Sequence, residues 1–341
     1  LTLNTLSVSN WIEEIVAGLN AKHIPYVTFT AESEQTFKFT IPANFTSCLG
    51  ENEYFEYSVG DGEWTQFKTT VDNIKFGGTL GSLRLRGKSS KGTATDYATN
   101  YSTIQFTTAN SPVDCTGDIR TLIDYEKYAD VSTADAKFCC LFYLNKELRT
   151  APKLPAKTLA SSCYREMFTY CTALTTAPAL PAKSLAESCY NKMFSGCTAL
   201  ETTPVLPAET LAGSSDTEMF SGCTGLETAP ARSAETLAEY CYNGMFLGCI
   251  ALETAPALSA ETLATRCYSQ MFCNCTKLLK APTLPATKLA DDCYYGMFSG
   301  CTGLSTAPKL RAKTLADCCY QGMFSGCTGL ETAPELPATT L

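Results

Sequence analysis

Histidine is almost absent from this chain, since His23 is the only one among 341 residues. A Ser/His/Asp or Cys/His catalytic arrangement could therefore use only that residue, and a metal site built from several histidines is excluded. We interpret His23 as a loop residue that follows a helix. The sequence also lacks a phosphate-binding loop, a dinucleotide-binding fingerprint and paired carboxylates in a plausible pocket. We therefore expect no enzymatic activity, no cofactor and no metal site.

Two further absences limit the choice of partners. No apolar run approaches the length of a membrane span. Basic residues are never in excess: residues 1–136 contain 10 Lys or Arg against 17 Asp or Glu, and residues 137–341 contain 16 against 17. We therefore expect neither a nucleic acid partner nor binding to an anionic membrane surface.

The two ends of the sequence carry no targeting information. No secretory signal or lipidation motif opens the chain, which begins with Leu1, and the chain stops at Leu341 in the middle of a repeat. We interpret it as a processed or truncated chain, so the missing signal peptide does not restrict its localisation.

A repeat of 26 residues occupies the C-terminal part of the chain. Every methionine is followed by Phe, with Cys three residues later, Leu three residues after that and Pro four further on. A fixed period of this length predicts repeats that bury their apolar faces against their neighbours. The methionines are Met167, Met193, Met219, Met245, Met271, Met297 and Met323.

The spacing within one repeat predicts a helical and an extended segment. Apolar residues three and four apart in Leu-Ala-x-x-Cys-Tyr-x-x-Met-Phe indicate one or two turns of α- or 3₁₀-helix. The Leu-x-x-Ala-Pro-x-Leu segment predicts one strand per repeat in a parallel sheet, kept very short because proline lacks an N–H. We therefore predict an α/β solenoid of the leucine-rich-repeat type over residues 163–341.

The region before the repeats predicts three further units. Residues 1–25 contain an amphipathic helix at 10–22, which would pack on the adjacent domain or act as an anchor. Residues 26–112 contain short segments of alternating apolar and polar residues separated by turn signals, which predicts a small antiparallel β-sandwich. Residues 113–162 predict a helical joint followed by a degenerate capping repeat, in which Phe138 and Phe142 remain in register.

Nineteen cysteines fall mainly into two columns, one at each of two repeat positions. Stacked equivalents specify no unique pairing, and Ser215 interrupts the first column, so we predict buried, reduced thiols that act as small apolar side chains. Sporadic disulfides and metal binding are the alternatives. Cys273 and Cys318 lie off the columns and are expected to be the most exposed thiols. Cys48 and Cys115 could pair with each other, and the sequence does not decide it.

The repeat resembles the BspA-type leucine-rich repeat. The matching segments run from Met193-Phe194-Ser195-Gly196-Cys197 to Leu200 and continue into Pro204-Val205-Leu206-Pro207. The repeats here are longer, and Pro204 departs from the strand pattern of that family. The resemblance implies a leucine-rich-repeat fold, while proteins of the family that have been described are adhesins.

The layout of the chain is also similar to that of surface proteins from gut bacteria and their phages. The similarity rests on Tyr57-Ser58-Val59-Gly60-Asp61-Gly62-Glu63-Trp64 in the predicted sandwich, on Gly117-Asp118-Ile119, and on the repeats that follow. It implies an extracellular protein on a cell or virion surface.

The favoured hypothesis is a non-enzymatic recognition or adhesion protein for a protein or glycan ligand on a host or neighbouring cell. The alternative is a structural virion component, such as a phage fibre or decoration protein, held by its N-terminal segment. The predicted ligand surface lies just after the strand-opening Leu of each repeat, where side chains vary and are mostly polar. Its members are Glu201, Thr202, Glu227, Thr228, Glu253, Thr254, Leu279, Lys280, Thr306 and Glu331.

Overall fold

The structure is a computed structural model that describes residues 25–231 and 234–340. The helix predicted for residues 10–22, and all but the last residue of the predicted segment 1–25, lie outside the described residues.

Two antiparallel sheets form the first part of the described chain. The larger sheet has the strand order β4-β3-β6-β1-β8, and the smaller sheet has the order β5-β2-β7. The strands are β1 Val27–Ala31, β2 Gln35–Thr40, β3 Tyr54–Val59, β4 Thr65–Phe67, β5 Val71–Phe76, β6 Leu83–Lys88, β7 Thr103–Phe106 and β8 Val113–Thr116.

Phenylalanine side chains hold the two sheets together. Phe29 of β1 lies 6.2 Å from Phe37 of β2, and Phe39 of β2 lies 5.2 Å from Phe55 of β3, measured between ring centroids. All four are fully buried. They alternate along their strands with more exposed residues, because successive side chains of a strand point to opposite faces.

The prediction of an α/β leucine-rich-repeat solenoid is wrong. The described residues contain one α-helix of four residues, Ala43–Thr46, and two 3₁₀ turns, Gly78–Leu80 and Ile119–Leu122. All three lie before the repeats, and so do all eight strands. The regular structure is therefore nearly all β, and the predicted helical joint is reduced to the turn at Ile119–Leu122. We refer to residues 137–231 and 234–340 as the repeat stack.

A run of tight turns takes the place of the predicted helix in each repeat. The N–H of Met167 donates to the carbonyl of Tyr164, three residues earlier, at 3.2 Å. The N–H of Phe168 instead donates to the carbonyl of Met193 in the next repeat, at 2.9 Å. This alternation recurs from repeat to repeat, so every second N–H of the turn segment leaves its own repeat. A helix would keep all of them inside one segment.

Left-handed residues at every fourth position prevent the helix. Ser162, Glu166 and Tyr170 have φ angles of 58°, 55° and 58°. A right-handed helix cannot continue through a residue with positive φ. The apolar spacing that predicted a helix therefore fits this chain of turns equally well, which is why the prediction failed.

Single-residue bridges replace the predicted parallel sheet. One row includes the bridges Thr176↔Thr202 and Thr254↔Lys280, and a second row includes Ser184↔Thr210. Pro178 follows Thr176 by two residues and has no N–H to extend the ladder. The neighbouring repeats are thus joined at isolated points rather than along strands.

Aromatic rings form continuous columns inside the repeat stack. Eight phenylalanines stack with centroids 5.5–5.8 Å apart and planes within 9° of parallel, an offset geometry that aromatic pairs favour. They are Phe142, Phe168, Phe194, Phe220, Phe246, Phe272, Phe298 and Phe324. Six of the seven methionines are completely buried, and Met323 is nearly so. Equivalent rings of neighbouring repeats are therefore in direct contact along the stack.

The third full repeat interrupts a second ring column. Tyr164 stacks on Tyr190, and the column starts again at Tyr242. Ser215 and Asp216 stand at the intervening Cys and Tyr positions and are fully buried, with the Ser215 hydroxyl 3.3 Å from the Asp216 carboxylate. The same repeat has Arg232 where its neighbours have the buried Leu206 and Leu258.

The first unit of the repeat stack is docked on the sheets. Phe142 lies 6.3 Å from Phe29 between ring centroids. The N–H of Val113 in β8 donates to the carbonyl of Glu147, and the N–H of Arg149 donates back to the carbonyl of Val113. One continuous hydrophobic core consequently runs from the sheets into the repeats.

Removal of buried column side chains should destabilise the protein strongly. Met245 and Phe246 are fully buried, and the Phe246 ring lies between two others. We expect Met245→Ala to lower the free energy of unfolding by about 2–5 kcal/mol and Phe246→Ala by about 3–5 kcal/mol. Denaturant unfolding measures both, with Ile250→Thr as an exposed control. Losses under about 1 kcal/mol at both sites would contradict a packed column.

Restoring the common residues of the third repeat should stabilise the protein. The double variant Asp216→Tyr/Arg232→Leu replaces two charged residues by the apolar residues found at the equivalent buried positions. We expect its free energy of unfolding to rise by about 1 kcal/mol or more, because well-packed apolar side chains in place of buried, partnered charges are often stabilising and the ring column is completed. Denaturant unfolding of the double variant and both single variants tests this. A double variant less stable than the parent chain would refute it.

Candidate ligand-binding surface

The predicted ligand surface is exposed in the structure. Each pair of its residues follows a buried Leu, such as Leu200, Leu226 or Leu252. The Leu side chain lies in the core, and the next two residues are exposed. All ten of its members are exposed, namely Glu201, Thr202, Glu227, Thr228, Glu253, Thr254, Leu279, Lys280, Thr306 and Glu331. We call these residues the first row. Whether they bind a ligand stays a prediction.

Backbone contacts between repeats set the alignment of the first row. The N–H of Glu201 donates to the carbonyl of Thr175 at 3.1 Å, and the N–H of Glu253 donates to the carbonyl of Glu227 at 3.0 Å. This hydrogen bond holds the backbones of Glu227 and Glu253 next to each other in neighbouring repeats. Glu331 lies three repeats beyond Glu253. Among the described residues, neither Glu227 nor Glu253 forms an ion pair with Lys or Arg. The two carboxylates are available to a ligand.

One repeat differs from the others within the first row. Leu279 is 61% exposed where most repeats have Glu, Thr or Ser, and Lys280 occupies the position of a threonine. Lys280 still forms the backbone bridges to Thr254 and Thr306, so the change affects the surface and leaves the stacking intact. An apolar group and a cation are placed here beside the carboxylate of Glu253.

A second exposed row was missed by the sequence reasoning. Glu209, Glu235 and Glu261 are exposed in three successive repeats, and Lys183 lies 3.9 Å from Glu209. Glu235 and Glu261 line one polar groove of about 450 Å³. The 26-residue recurrence of a Glu-Thr pair eight residues after the first row was a usable signal. The bridge-forming residues of this row include Ser184, Thr210, Thr236, Thr262, Lys288 and Thr314.

Small apolar grooves lie between the proline positions of the first repeats. One of about 410 Å³ is lined by Pro152, Pro155, Pro178 and Pro181 among others, and a neighbouring one has a volume of about 290 Å³. They contain no titratable cluster. A cavity of about 860 Å³ lies on the face of the last turn that a neighbouring repeat covers elsewhere in the stack, with Leu315 and Pro334 in its lining.

The thiols are not arranged as reactive groups. The Cys249 thiol donates to the carbonyl of Phe220 at 3.0 Å, and equivalent contacts recur along the column. Burial raises the pKa of Cys249 to about 12, which suppresses the nucleophilic thiolate at neutral pH. Cys318 is exposed as predicted, but the prediction for Cys273 is wrong because its side chain is only 9% exposed.

No disulfide joins any of the nineteen cysteines in the structure, all of which lie in the described residues. Cys48 is exposed and Cys115 is buried, and both are free thiols. In the described part of the chain, no group of three or more His, Cys, Asp or Glu side chains could hold a metal ion.

Comparison with known proteins gives no relative. No protein-family model matches the chain, and no curated protein or solved structure matches it. Within residues 25–231 and 234–340, no helix has the length and apolar character needed to cross a membrane.

Thiol accessibility should divide the cysteines into two classes. Cys48 and Cys318 are exposed, and the other seventeen are buried. We expect two thiols to react rapidly with an alkylating reagent at neutral pH in the native protein, and all nineteen to react after denaturation without reductant. Mass spectrometry of the alkylated peptides identifies the fast sites. If few thiols react in the denatured protein, the chain is cross-linked by disulfides and the prediction of free thiols is wrong.

Proposed function

We propose that this chain is a non-enzymatic recognition or adhesion protein that acts outside the cell, on a cell surface or a virion surface. The first row would contact a protein or glycan ligand on a host or neighbouring cell. The observation that carries this proposal is the alignment of equivalent exposed side chains in successive repeats. The buried ring columns support this alignment, because equivalent rings of neighbouring repeats stack with centroids 5.5–5.8 Å apart.

A regular row of this kind suits a ligand that is itself repetitive. Each threonine hydroxyl can donate and accept, and each carboxylate can accept, so every repeat offers a few weak hydrogen bonds. Several weak contacts in register multiply their effect when a single polymer makes them all. The row therefore favours an extended ligand over a compact one.

The spacing of the row argues for a glycan rather than a peptide strand. A β-strand lying along the row repeats its side-chain direction every two residues, or about 6.6 Å. That distance exceeds the spacing of about 4.7–4.9 Å expected between backbones joined by the bridges of the first row, so the mismatch would accumulate along the stack. Glycan hydroxyls would also supply donors to adjacent carboxylates such as Glu227 and Glu253, which form no ion pair with Lys or Arg among the described residues.

The alternative function, a structural virion component, depends on the N-terminal segment. That segment lies almost entirely outside the described residues. Nothing in the sheets or the repeat stack favours this alternative over recognition.

The test begins with a screen of the intact chain against glycan and host-protein arrays. For a ligand found there, the triple variant Glu227→Gln/Glu253→Gln/Lys280→Gln should weaken binding by about tenfold or more. Its thermal stability should be unchanged, because all three side chains are exposed.

A matched control carries the same change in charge on the sheets. Glu32→Gln/Glu63→Gln/Lys91→Gln replaces three exposed residues far from the first row and should bind like the parent chain. Unchanged affinity in the first-row variant would move the binding site to another part of the protein.

A further inference from the structure

A second strip of residues runs along the repeat stack and differs chemically from the first row. Its residues are all left-handed, with φ between 58° and 74°, and we call it the glycine strip. An added Cβ on Gly222 would lie 3.6 Å from the Cα of Gly196, so successive backbones lie close together and leave a flat surface. The strip consists of Leu144, Tyr170, Gly196, Gly222, Gly248, Asn274, Gly300 and Gly326.

The glycine strip is flanked by hydroxyl groups and carries no charge. The residue before each member and the residue two after it are uncharged in every full repeat. Most of these flanking residues are serine on one side and threonine on the other. They include Ser195, Ser221, Ser299 and Ser325, and Thr172, Thr198, Thr224, Thr276, Thr302 and Thr328.

Tyr170 is the aromatic member of the strip, and Leu144 in the capping unit is its other bulky member. A bulky residue with positive φ is strained, whereas Gly adopts that conformation freely and Asn does so readily. The six later repeats have Gly or Asn at this position, so the turn does not require a tyrosine. The tyrosine ring is 49% exposed. A strained, exposed aromatic residue that the fold does not need is a candidate for function.

The Tyr170 ring rests on the next repeat with one side open. A Cβ added to Gly196 would lie 2.3 Å from Cδ1 of Tyr170, which places the ring directly against the Gly196 backbone. The ring can pack against this backbone because Gly196 has no Cβ to clash with it. The ring is therefore fixed in place with its other side turned to solvent, as a flat apolar platform.

We propose that the Tyr170 ring and the adjoining glycine strip bind the uncharged sugar units of a glycan. The open ring would stack against the apolar C–H face of one sugar, and the neighbouring Ser and Thr hydroxyls would bond its hydroxyl groups. This inference rests on the proposed recognition function and names its ligand class. It places the aromatic contact on a strip separate from the first row.

The chemistry of the strip disfavours other ligands. The residues that directly flank Tyr170 and Gly196 in the strip, namely Thr169, Thr172, Ser195 and Thr198, offer no cation to an acidic glycan or acidic peptide. The strip also offers no free backbone edge to a peptide strand, because the N–H of Tyr170 donates to the carbonyl of Ser195 and the N–H of Gly196 to the carbonyl of Ser221, both at 2.7 Å. What remains is a neutral ligand with apolar faces and hydroxyl groups.

The decisive variant is Tyr170→Gly, because Gly is the usual residue of the strip and should fold without strain. Binding is measured by calorimetry against soluble neutral polysaccharides (a β-glucan, a xylan and a mannan) and against an acidic polygalacturonate. We expect the parent chain to bind at least one neutral polymer. Tyr170→Gly should weaken that binding about tenfold or more, with a melting temperature equal to or above that of the parent. Tyr170→Phe should retain the binding.

A matched control is Tyr295→Asn. Tyr295 is also partly exposed but has an ordinary φ, and Asn occupies the equivalent position in two other repeats, as Asn191 and Asn243. This variant should bind neutral polymers like the parent chain. Equal weakening by both variants would mean a non-specific loss of aromatic surface and would overturn the inference.

Three results would overturn the inference and leave the proposed function standing. The first is unchanged neutral-polymer binding in Tyr170→Gly together with a loss in the first-row triple variant. The second is a clear fall in the melting temperature of Tyr170→Gly, which would make Tyr170 a structural residue. The third is that the parent chain binds none of the neutral polymers but binds an acidic glycan or a protein in the array screen. If no array ligand is found at all, the proposed function fails with it.

Discussion

Every second backbone N–H of the turn segment is directed out of its own repeat, and the rest of the stack depends on this constraint. The N–H of Phe168 needs the carbonyl of Met193 one repeat later, and the N–H of Tyr170 needs that of Ser195. A buried N–H without an acceptor is costly, so no repeat can be satisfied alone. The ring columns follow from the same constraint, because the backbone bonds fix the distance at which neighbouring side chains meet.

That distance also determines the surface. Side chains inside the stack must be nearly identical from repeat to repeat, since each ring of a column packs on its equivalent in the next repeat. Outside the stack no such requirement applies, and residues such as Leu279, Lys280 and Tyr170 depart from their rows while the backbone contacts persist. Most side-chain differences between repeats therefore lie on the surface, where a ligand could contact them. Asp216 is an exception, since it varies inside the core.

The period and the buried columns could be predicted from the sequence because they depend only on which residues recur. The local conformation could not, because apolar spacing does not specify the sign of φ. Gly196 and Gly222 recur at left-handed positions and were a usable signal, which was interpreted as the end of a helix. Glu166 and Ser162 are left-handed without any such signal, since the backbone bonds to the next repeat impose their conformation.

The exposed first row was foreseen for a related reason: polar residues that vary beside a buried Leu must face solvent. Tyr170 was not foreseen, because an aromatic residue in a repeat is ordinarily assigned to the core. Its exposure follows from its left-handed backbone and from the flat Gly196 beside it. Neither property is visible until the chain is folded.

The buried thiols can report how often each repeat of the stack opens. Each column cysteine becomes reactive only when its own repeat separates from a neighbour, and such local openings have free energies from near zero up to that of global unfolding. Because thiols occur in every repeat, their individual modification rates would record how often each level of the stack opens. Fraying at the last turn, a break at the irregular third repeat and a cooperative opening of the whole stack would each leave a different order of labelling. The order in which the cysteines are modified would therefore identify the repeats that separate first.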